Sequence, residues 1–308
     1  MGHKSTLDWL LAGDPAIGWQ TLRDLAEAPA AVWKREQSRV ATRGWGARLL
    51  ALQGADGRWA GGVYTPKWTS TTYTLLLLRD MGLAPGHPQA VRGCRLLFDE
   101  GFCSDGGINF SPRHAKRSET CVTSMVLSTA RWFGVDDPWT GCLAGNLFAL
   151  QMPDGGWNCR ATPGYGGATH GSFHTTILAL EALLGCPGAA LARARGEEFL
   201  LAHRLFRSHR TGAIVKPEFT RFPFPARWHY DVLRALDYFR AANAPRDPRL
   251  EEAIDLVEAR KRADGLWHLP RGYPGKVFFE MEEVGQASRW NTMRAMRVLR
   301  WWRSPANS

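Results

Sequence analysis

The 308-residue sequence lacks several features that would place it in other classes of protein. Its longest uninterrupted leucine run, Leu75 to Leu78, is far too short to cross a bilayer. The opening residues, MGHKSTLDWLLAGDP, contain no long apolar segment of the kind that a secretory leader needs. No five consecutive residues are basic, so a nucleic-acid-binding arm is not indicated. These absences predict a cytoplasmic protein with neither a transmembrane segment nor a nucleic-acid partner.

The cysteines are few and widely spaced. Six are present, at positions 94, 103, 121, 142, 159 and 186, and no two lie close together in sequence. In a chain of this length an even number of cysteines does not by itself predict disulfides, and reduced thiols are expected in the cytoplasm. The charge is strongly unbalanced, with 39 Lys and Arg against 29 Asp and Glu, a formal net charge of +10. That excess favours an anionic small-molecule partner.

A glycine-rich turn recurs along the chain at intervals of about fifty residues. It reads LQGADGRWAGG at 52–62, CSDGGINF at 103–110, LQMPDGGWNC at 150–159 and KRADGLWHL at 261–269. A weaker copy, HRTGAIVKP, stands at 209–217, where the series requires one. Asp-Gly suits a tight turn because glycine adopts a positive φ without steric cost. The Trp or Ile that follows is expected to pack against the core.

Segments with the apolar spacing of an α-helix follow and precede these turns. The segments that follow a turn, with a sixth near the start of the chain, are predicted at 16–28, 67–82, 119–134, 172–185, 227–243 and 289–302. A second set, several of them preceded by proline as helix starts often are, is predicted at 42–53, 88–99, 139–151, 189–204 and 247–261. The first and last segments, GWQTLRD and RWNTMRA, resemble each other. We therefore expect an all-α fold, a single α/α toroid domain over residues 1–308 with six helical hairpins in inner and outer layers; an open superhelix is the alternative.

Aligning the six inner segments on their leading aromatic residue brings a layer of polar side chains into register. This layer consists of Gln20, Thr69, Cys121, His174, His229 and Asn291. In a toroid these positions would meet at one rim of the central cavity. Three neighbouring segments contribute Cys121, His174 and His229, and Glu119 lies two residues before the cysteine. Thiolate, imidazole and carboxylate suit Zn²⁺, although a cysteine or histidine at helical spacing is more often ordinary packing.

The opening of the third inner segment carries a more specific pattern. It reads SPRHAKRSETCVTSM at 111–125, with Arg113, Lys116, Glu119 and Cys121 at spacings of three, three and two. This resembles the R-x-x-K-x-x-D-x-C pattern of protein prenyltransferase β subunits, with Glu in place of Asp, and Val122 where that family has tyrosine. The turns QGADGRW and QMPDGGW are similar to the repeats of the wider superfamily of those subunits and squalene cyclases. The turn motifs extend this resemblance over nearly the whole chain.

The resemblance implies roles for several of these residues. Arg113 and Lys116 would hold a prenyl diphosphate, and Glu119, Cys121 and His174 would bind zinc. His229 is a further ligand suggested by the register of the inner segments alone. Cations beside a helix start also predict a lowered pKa for the Cys121 thiol.

The expected function is that of a zinc-dependent, prenyltransferase-like transferase acting on an isoprenoid or other anionic substrate. Cys121, His174 and His229 would form the catalytic centre, where the metal activates a thiolate or water. His170 and Arg289 are further candidates for substrate contacts at the rim. The alternatives are a metal-assisted hydrolase or lyase and a non-catalytic toroid that binds a lipid or a protein. Protonation of an alkene by a class II terpene cyclase is disfavoured, because the sequence has no D-x-D-D motif. Whether a partner subunit is needed cannot be read from the sequence.

Overall fold

The computed structural model describes residues 5–111, 117–135, 138–159 and 167–304, and the regular elements in these ranges are helices. The α-helices are α1 (Thr6–Leu11), α2 (Pro15–Asp24), α3 (Ala30–Ser38), α4 (Gly44–Leu50), α5 (Thr71–Met81), α6 (Pro88–Gly101), α7 (Thr120–Trp132), α8 (Pro138–Ala149), α9 (Phe173–Leu183), α10 (Ala190–Ala202), α11 (Val232–Ala241), α12 (Glu251–Ala259) and α13 (Arg289–Arg303). None of them combines the length and the apolar character that a bilayer crossing requires.

The helices form an α/α toroid, as predicted. The inner helices α5, α7, α9, α11, α13 and α2 contact one another in that order. Two contacts of α2 close the ring: α2 packs on α13, and at its junction with α5 Trp19 Nε1–H donates to the carbonyl oxygen of Met81 at 2.8 Å and Gln20 donates to that of Asp80 at 3.2 Å. Helices α6, α8, α10 and α12 each pack on the inner helix of the same hairpin, and α3 packs on α2. The open superhelix is therefore wrong.

A repeated pair of hydrogen bonds fixes each turn between the two layers. Trp157 is completely buried, and its Nε1–H donates at 2.7 Å to the carbonyl oxygen of Leu147, ten residues earlier. Its backbone N–H donates to Oγ1 of Thr176 in α9 at 3.0 Å. The same two bonds, at the same spacing of ten residues for the indole, are made by Trp59 and Trp267. The recurring tryptophan thus links an outer helix, a turn and an inner helix.

The largest departure from the predicted helices lies before α11. Residues 227–231 are not helical, and α11 begins at Val232, because Asp231 caps it by accepting the N–H of Arg234 at 2.8 Å. His229 therefore lies in the loop before α11, and not in its first turn as predicted. Thr69 likewise precedes α5, whereas Cys121 and His174 do lie in the first turns of α7 and α9.

Candidate functional site

Two thiols meet at the amino end of α7. The backbone N–H of Cys121, in the first turn of the helix, donates a hydrogen bond to Sγ of Cys159 at 3.1 Å. The sulfur of Cys159 also lies 3.7 Å from Oγ1 of Thr175 in α9. Both cysteines are free and half-buried. Cys121 therefore has a second cysteine as a partner, which the register of the inner helices did not reveal because Cys159 lies in a turn.

The electrostatics of this pair reverse the prediction for Cys121. Its side-chain hydrogen bond with Cys159, together with burial, raises the pKa of Cys121 well above the usual thiol range. The same hydrogen bond lowers the pKa of Cys159. The lowered pKa predicted for Cys121 is wrong, because its thiol is a donor in the pair and the Glu119 carboxylate opposes a second negative charge nearby. The more acidic thiol is Cys159.

Two histidines meet at the next position around the same rim. The ring centroids of His174 and His229 are 5.8 Å apart, and the two planes are nearly perpendicular. Nδ1 of His174 accepts the backbone N–H of Tyr230 at 2.9 Å. The His229 ring is stacked between Trp228 and Tyr273, at centroid distances of 3.8 and 3.3 Å. The structure thus brings these two predicted residues together within a set of aromatic rings.

Both imidazoles are neutral at physiological pH. Burial, with a smaller contribution from the charge of Lys216, lowers the pKa of His174 to about 4. Burial and the neighbouring His174 lower the pKa of His229 to about 3. An imidazole with so low a pKa is a weak base, so it accepts protons efficiently only from a strong acid.

The predicted zinc site is not assembled. Among the residues that the structure describes, no group of three or more His, Cys, Asp or Glu side chains is placed to hold a metal ion. The four predicted ligands, all of them described, were Glu119, Cys121, His174 and His229. Two local features account for this: Nδ1 of His174 already accepts a backbone N–H, and the late start of α11 leaves His229 between two aromatic rings. These side chains do not fit a shared zinc ion, and no zinc chemistry follows from them.

The four residues predicted to contact substrate fall in different places. Arg113 and Lys116 lie outside the described residues. His170 is exposed on the loop before α9. Arg289 is half-buried and packs on α1, where its Nε–H donates to the carbonyl oxygen of Trp9 at 3.1 Å. The described hydrogen bonds of Arg289 go to Trp9 and, from its backbone N–H, to Glu282, and none of them goes to the histidine pair.

A cavity of about 460 Å³ lies on the axis of the ring, and all six inner helices contribute to its wall. We call it the axial cavity. On α5, α7 and α9 its lining residues come from the carboxyl-terminal halves, whereas the thiols and histidines described above lie at the amino ends. Its volume is in the range typical of small-molecule sites. On these three helices the axial cavity is therefore at the opposite end from the predicted site.

Arginine dominates the lining of the axial cavity. Among the described residues, seven arginines and three carboxylates line it: Arg23, Arg79, Arg131, Arg234, Arg240, Arg294 and Arg297, with Asp80, Glu181 and Asp237. Most of these arginines are neutralised. Arg234, for example, makes two hydrogen bonds to Glu181, at 2.7 and 2.8 Å. Arg297 pairs with Asp237 and, at 3.1 Å, with Asp24.

Arg294 is paired more loosely than the other cavity arginines that have a carboxylate partner. It is only 6% exposed, and its nearest carboxylate contact is 3.9 Å, from Nη2 to Oδ1 of Asp231. Nη1 of Arg294 and Oδ2 of Asp231 are both buried without a hydrogen-bond partner among the described residues. Burial also raises the pKa of Asp231. Buried polar atoms without partners are rare, and in native proteins they commonly mark a bound water, ion or ligand.

An apolar surface adjoins Arg294. Its guanidinium lies 5.9 Å from the ring of Phe224, which in turn stacks on Trp290 at a centroid distance of 4.1 Å. Trp19 and Trp132 line the cavity as well. The axial cavity therefore offers a positive group and an aromatic wall side by side.

The sequence contains a signal for this cavity. Each inner segment carries charged residues toward its end, such as Arg79–Asp80, Glu181, Asp237 and Arg297. Spread over six helices, they look like solvated surface charges. Aligning the carboxyl ends of the segments, in addition to their amino ends, would have gathered them into one layer.

Comparison with known proteins adds the following. No family model matches the sequence, and no curated protein matches it. Among solved structures, a protein from Actinoplanes is 19% identical, with 95% of this chain and 91% of that chain covered and a TM-score of 0.48. A variant of type II terpene cyclase MstE from Scytonema, in complex with geranylgeranyl dihydroxybenzoate, is 17% identical, with coverages of 94% and 86% and a TM-score of 0.45. At these values the likeness assigns no activity to this chain.

Proposed function

We propose that the protein is an enzyme that binds an anionic isoprenoid in the axial cavity and transfers a proton to or from it. The observation that carries this proposal is the loosely paired Asp231 and Arg294, each with a buried polar atom that has no hydrogen-bond partner among the described residues. A substrate whose anionic group reaches Arg294 would supply the charge that this guanidinium lacks. Zinc is not part of the proposal, because the predicted ligands do not form a common group.

The positive lining supports an anionic substrate. The other cavity arginines are neutralised by carboxylates or bonded to carbonyl oxygens, as Arg131 is to Gly185 at 2.7 Å. Arg294 is the exception, so a phosphate or carboxylate at this point would gain charge-assisted hydrogen bonds. The formal excess of positive charge on the whole chain would also draw an anion toward the protein.

The aromatic wall supports an apolar tail on the same molecule. The stacked Phe224 and Trp290 stand beside Arg294, so a ligand with one charged end and a hydrocarbon chain would contact both. Prenyl diphosphates have this composition. A purely polar anion would leave the aromatic surface in contact with water, which is unfavourable by roughly 25 cal/mol for each Å² left exposed.

Asp231 supplies the titratable group. Its side chain is fully buried at the cap of α11, and burial favours its neutral form, because a carboxylate in a poorly solvated position is costly. Oδ1 accepts the N–H of Arg234, which leaves Oδ2 to carry the proton. This carboxylic acid packs behind Arg294 and is not itself one of the residues that line the axial cavity. We assign it the role of general acid, and its conjugate base that of general base, for a molecule bound against Arg294.

A ligand panel tests the binding part of this proposal. Thermal unfolding of the full chain is followed with farnesyl diphosphate, inorganic pyrophosphate and farnesol, each alone. We expect the largest rise in Tm with farnesyl diphosphate and smaller rises with the other two, because each of those reaches only one part of the cavity. Equal shifts with pyrophosphate and farnesyl diphosphate would overturn the isoprenoid class, and no shift with any of them would overturn the site.

Product analysis tests the catalytic part. Farnesyl and geranylgeranyl diphosphate are incubated with wild type, with Asp231→Asn and with Asp255→Asn, and the products are identified by mass spectrometry. Asp231→Asn keeps the oxygen that caps α11 and removes the acid, so turnover should fall by about 100-fold or more while binding persists. Asp255 is exposed on α12, so its substitution serves as the matched control. Turnover that survives in Asp231→Asn would contradict the assigned role.

A further inference from the structure

Cys121 and Cys159 form a contact that the proposed function does not use. They are 38 residues apart and come from successive repeats, one from the start of α7 and the other from the turn that precedes α9. Both thiols are free, and both residues are partly accessible to solvent. Two cysteines from distant parts of a chain are rarely brought into direct contact by packing needs alone, because either one would fill the same space as a serine or alanine.

The surroundings of Cys159 favour its thiolate. Its sulfur accepts the backbone N–H of Cys121, one of the donors that a helix leaves unpaired in its first turn. Oγ1 of Thr175 lies 3.7 Å away and can donate a second hydrogen bond. A thiolate held at a helix amino end is the form that attacks a disulfide. The protonated neighbour, Cys121, can then attack the mixed disulfide that forms on Cys159.

We propose that Cys121 and Cys159 are a reversible oxidation site, at which a low-molecular-weight disulfide such as oxidised glutathione converts the two thiols into an intramolecular disulfide. This inference depends on the contact between the two cysteines and is independent of the function proposed for the axial cavity. The site joins the amino end of α7 to the turn before α9, so its oxidation crosslinks two adjacent repeats of the ring.

The chemistry takes two exchange steps. The Cys159 thiolate attacks one sulfur of oxidised glutathione, a mixed disulfide forms, and one glutathione leaves as its thiolate. Cys121 then loses its proton to solvent and attacks the Cys159 sulfur, which forms the protein disulfide and releases the second glutathione. Two protein thiols are oxidised and one glutathione disulfide is reduced to two thiols, so atoms and electrons balance.

Other cysteines of the chain provide matched controls. Cys142 is exposed in α8, and Cys94 is completely buried in α6. Burial raises the pKa of Cys94 to about 12, which makes it a poor nucleophile. Oxidation directed only by exposure would select Cys142 first. Oxidation directed by the geometry of the pair selects Cys121 and Cys159.

The test uses the full chain, fully reduced and then exchanged into oxidised glutathione. Free thiols are counted, the intact mass is measured, and crosslinked peptides are mapped without reduction. We expect the loss of two thiols, a Cys121–Cys159 crosslink, a higher Tm and complete reversal by dithiothreitol. Cys121→Ser should retain one glutathione on Cys159, because the resolving thiol is missing, and Cys159→Ser should react about tenfold more slowly at Cys121. Cys142→Ser should behave as wild type.

Several results would overturn the proposed oxidation site. If oxidised wild type keeps both thiols free, or if its crosslink joins other cysteines, the inference is wrong. The same holds if Cys121→Ser and Cys159→Ser react with glutathione at equal rates, since the asymmetry of the pair would then be absent. The mapping on wild type decides the question even if a variant does not fold.

Discussion

Nδ1 of His174 accepts a hydrogen bond from the backbone N–H of Tyr230 at 2.9 Å. This bond joins the start of α9 to the loop that leads into α11, and it requires Nδ1 to be unprotonated. The proton of the neutral ring must therefore be on Nε2. The neighbouring His229 is also kept neutral by burial. The amino-terminal rim thus contains two imidazoles that resist protonation.

The first prediction concerns acid pH. His174 and His229 have folded-state pKa values of about 4 and about 3, below the unfolded value of 6.5. The unfolded chain takes up these protons first, so stability is full above pH 6.5 and falls as the pH drops from there toward 4. The slope should reach at most about 1.4 kcal/mol per pH unit for each histidine. Urea unfolding at about pH 7 and about pH 5 measures it.

Matched variants separate this effect from other titrations. His174→Gln and His229→Gln should each reduce the loss of stability between the two pH values. His170→Gln, at a residue that is exposed in the loop before α9, should leave the loss nearly unchanged. An identical pH dependence in all three variants would show that the histidine pair is not responsible.

The second prediction concerns the repeated tryptophan. Trp157→Phe keeps an aromatic ring but removes the Nε1–H that the Leu147 carbonyl oxygen accepts. The free energy of unfolding should fall by about 1–3 kcal/mol for the buried, unsatisfied carbonyl, with a further loss for the space left empty. Trp302→Phe, at a half-buried position near the end of α13, should cost less. If calorimetry shows equal losses of stability for Trp157→Phe and Trp302→Phe, the hydrogen bond of Trp157 is not what stabilises the turn.

The third prediction concerns ring closure. Arg297 of α13 contacts Asp237 of α11, and it also contacts Asp24 and Gln20 of α2. Arg297→Met removes one arginine partner of the half-buried Asp237, which keeps its pair with Arg240, so the free energy of unfolding should fall by about 1–3 kcal/mol. Arg303 is on the same helix as Arg297 and makes an exposed ion pair with Glu258 of α12. Arg303→Met should therefore change the free energy of unfolding by at most about 1 kcal/mol. Similar effects in urea unfolding would contradict this account of closure.

Much of the fold was predictable because its determinants are local and repeated. The Asp-Gly turn, the tryptophan after it and the threonine of the next helix recur at a nearly constant spacing, so they were visible in the sequence as turns and helical periodicity. The apolar pattern predicts too early a start for α11, because Asp231 caps the helix at Val232. The aspartate before Val232 was the available signal.

The site was less predictable, because its residues are far apart in the sequence and come together only when the helices close into a ring. The rings of His174 and His229 lie 5.8 Å apart, although His229 lies in the loop before α11 and not in the first helical turn where the repeats predict it. Cys159 was not predicted as a site residue, because it lies in a turn and not on an inner helix. Arg294 resembles one of many surface arginines in the sequence, because its place in a cavity lined by all six inner helices depends on the closed geometry.

Titration of the full chain with farnesyl diphosphate tests the central claim most directly. We predict that Arg294→Ala weakens the Kd by about tenfold to a hundredfold, the loss expected for charge-assisted hydrogen bonds. Arg303→Ala, on the exposed end of the same helix, should leave the Kd unchanged within about twofold. If the two variants bind equally well, or if wild type does not bind at all, the axial cavity is not the site of an anionic isoprenoid.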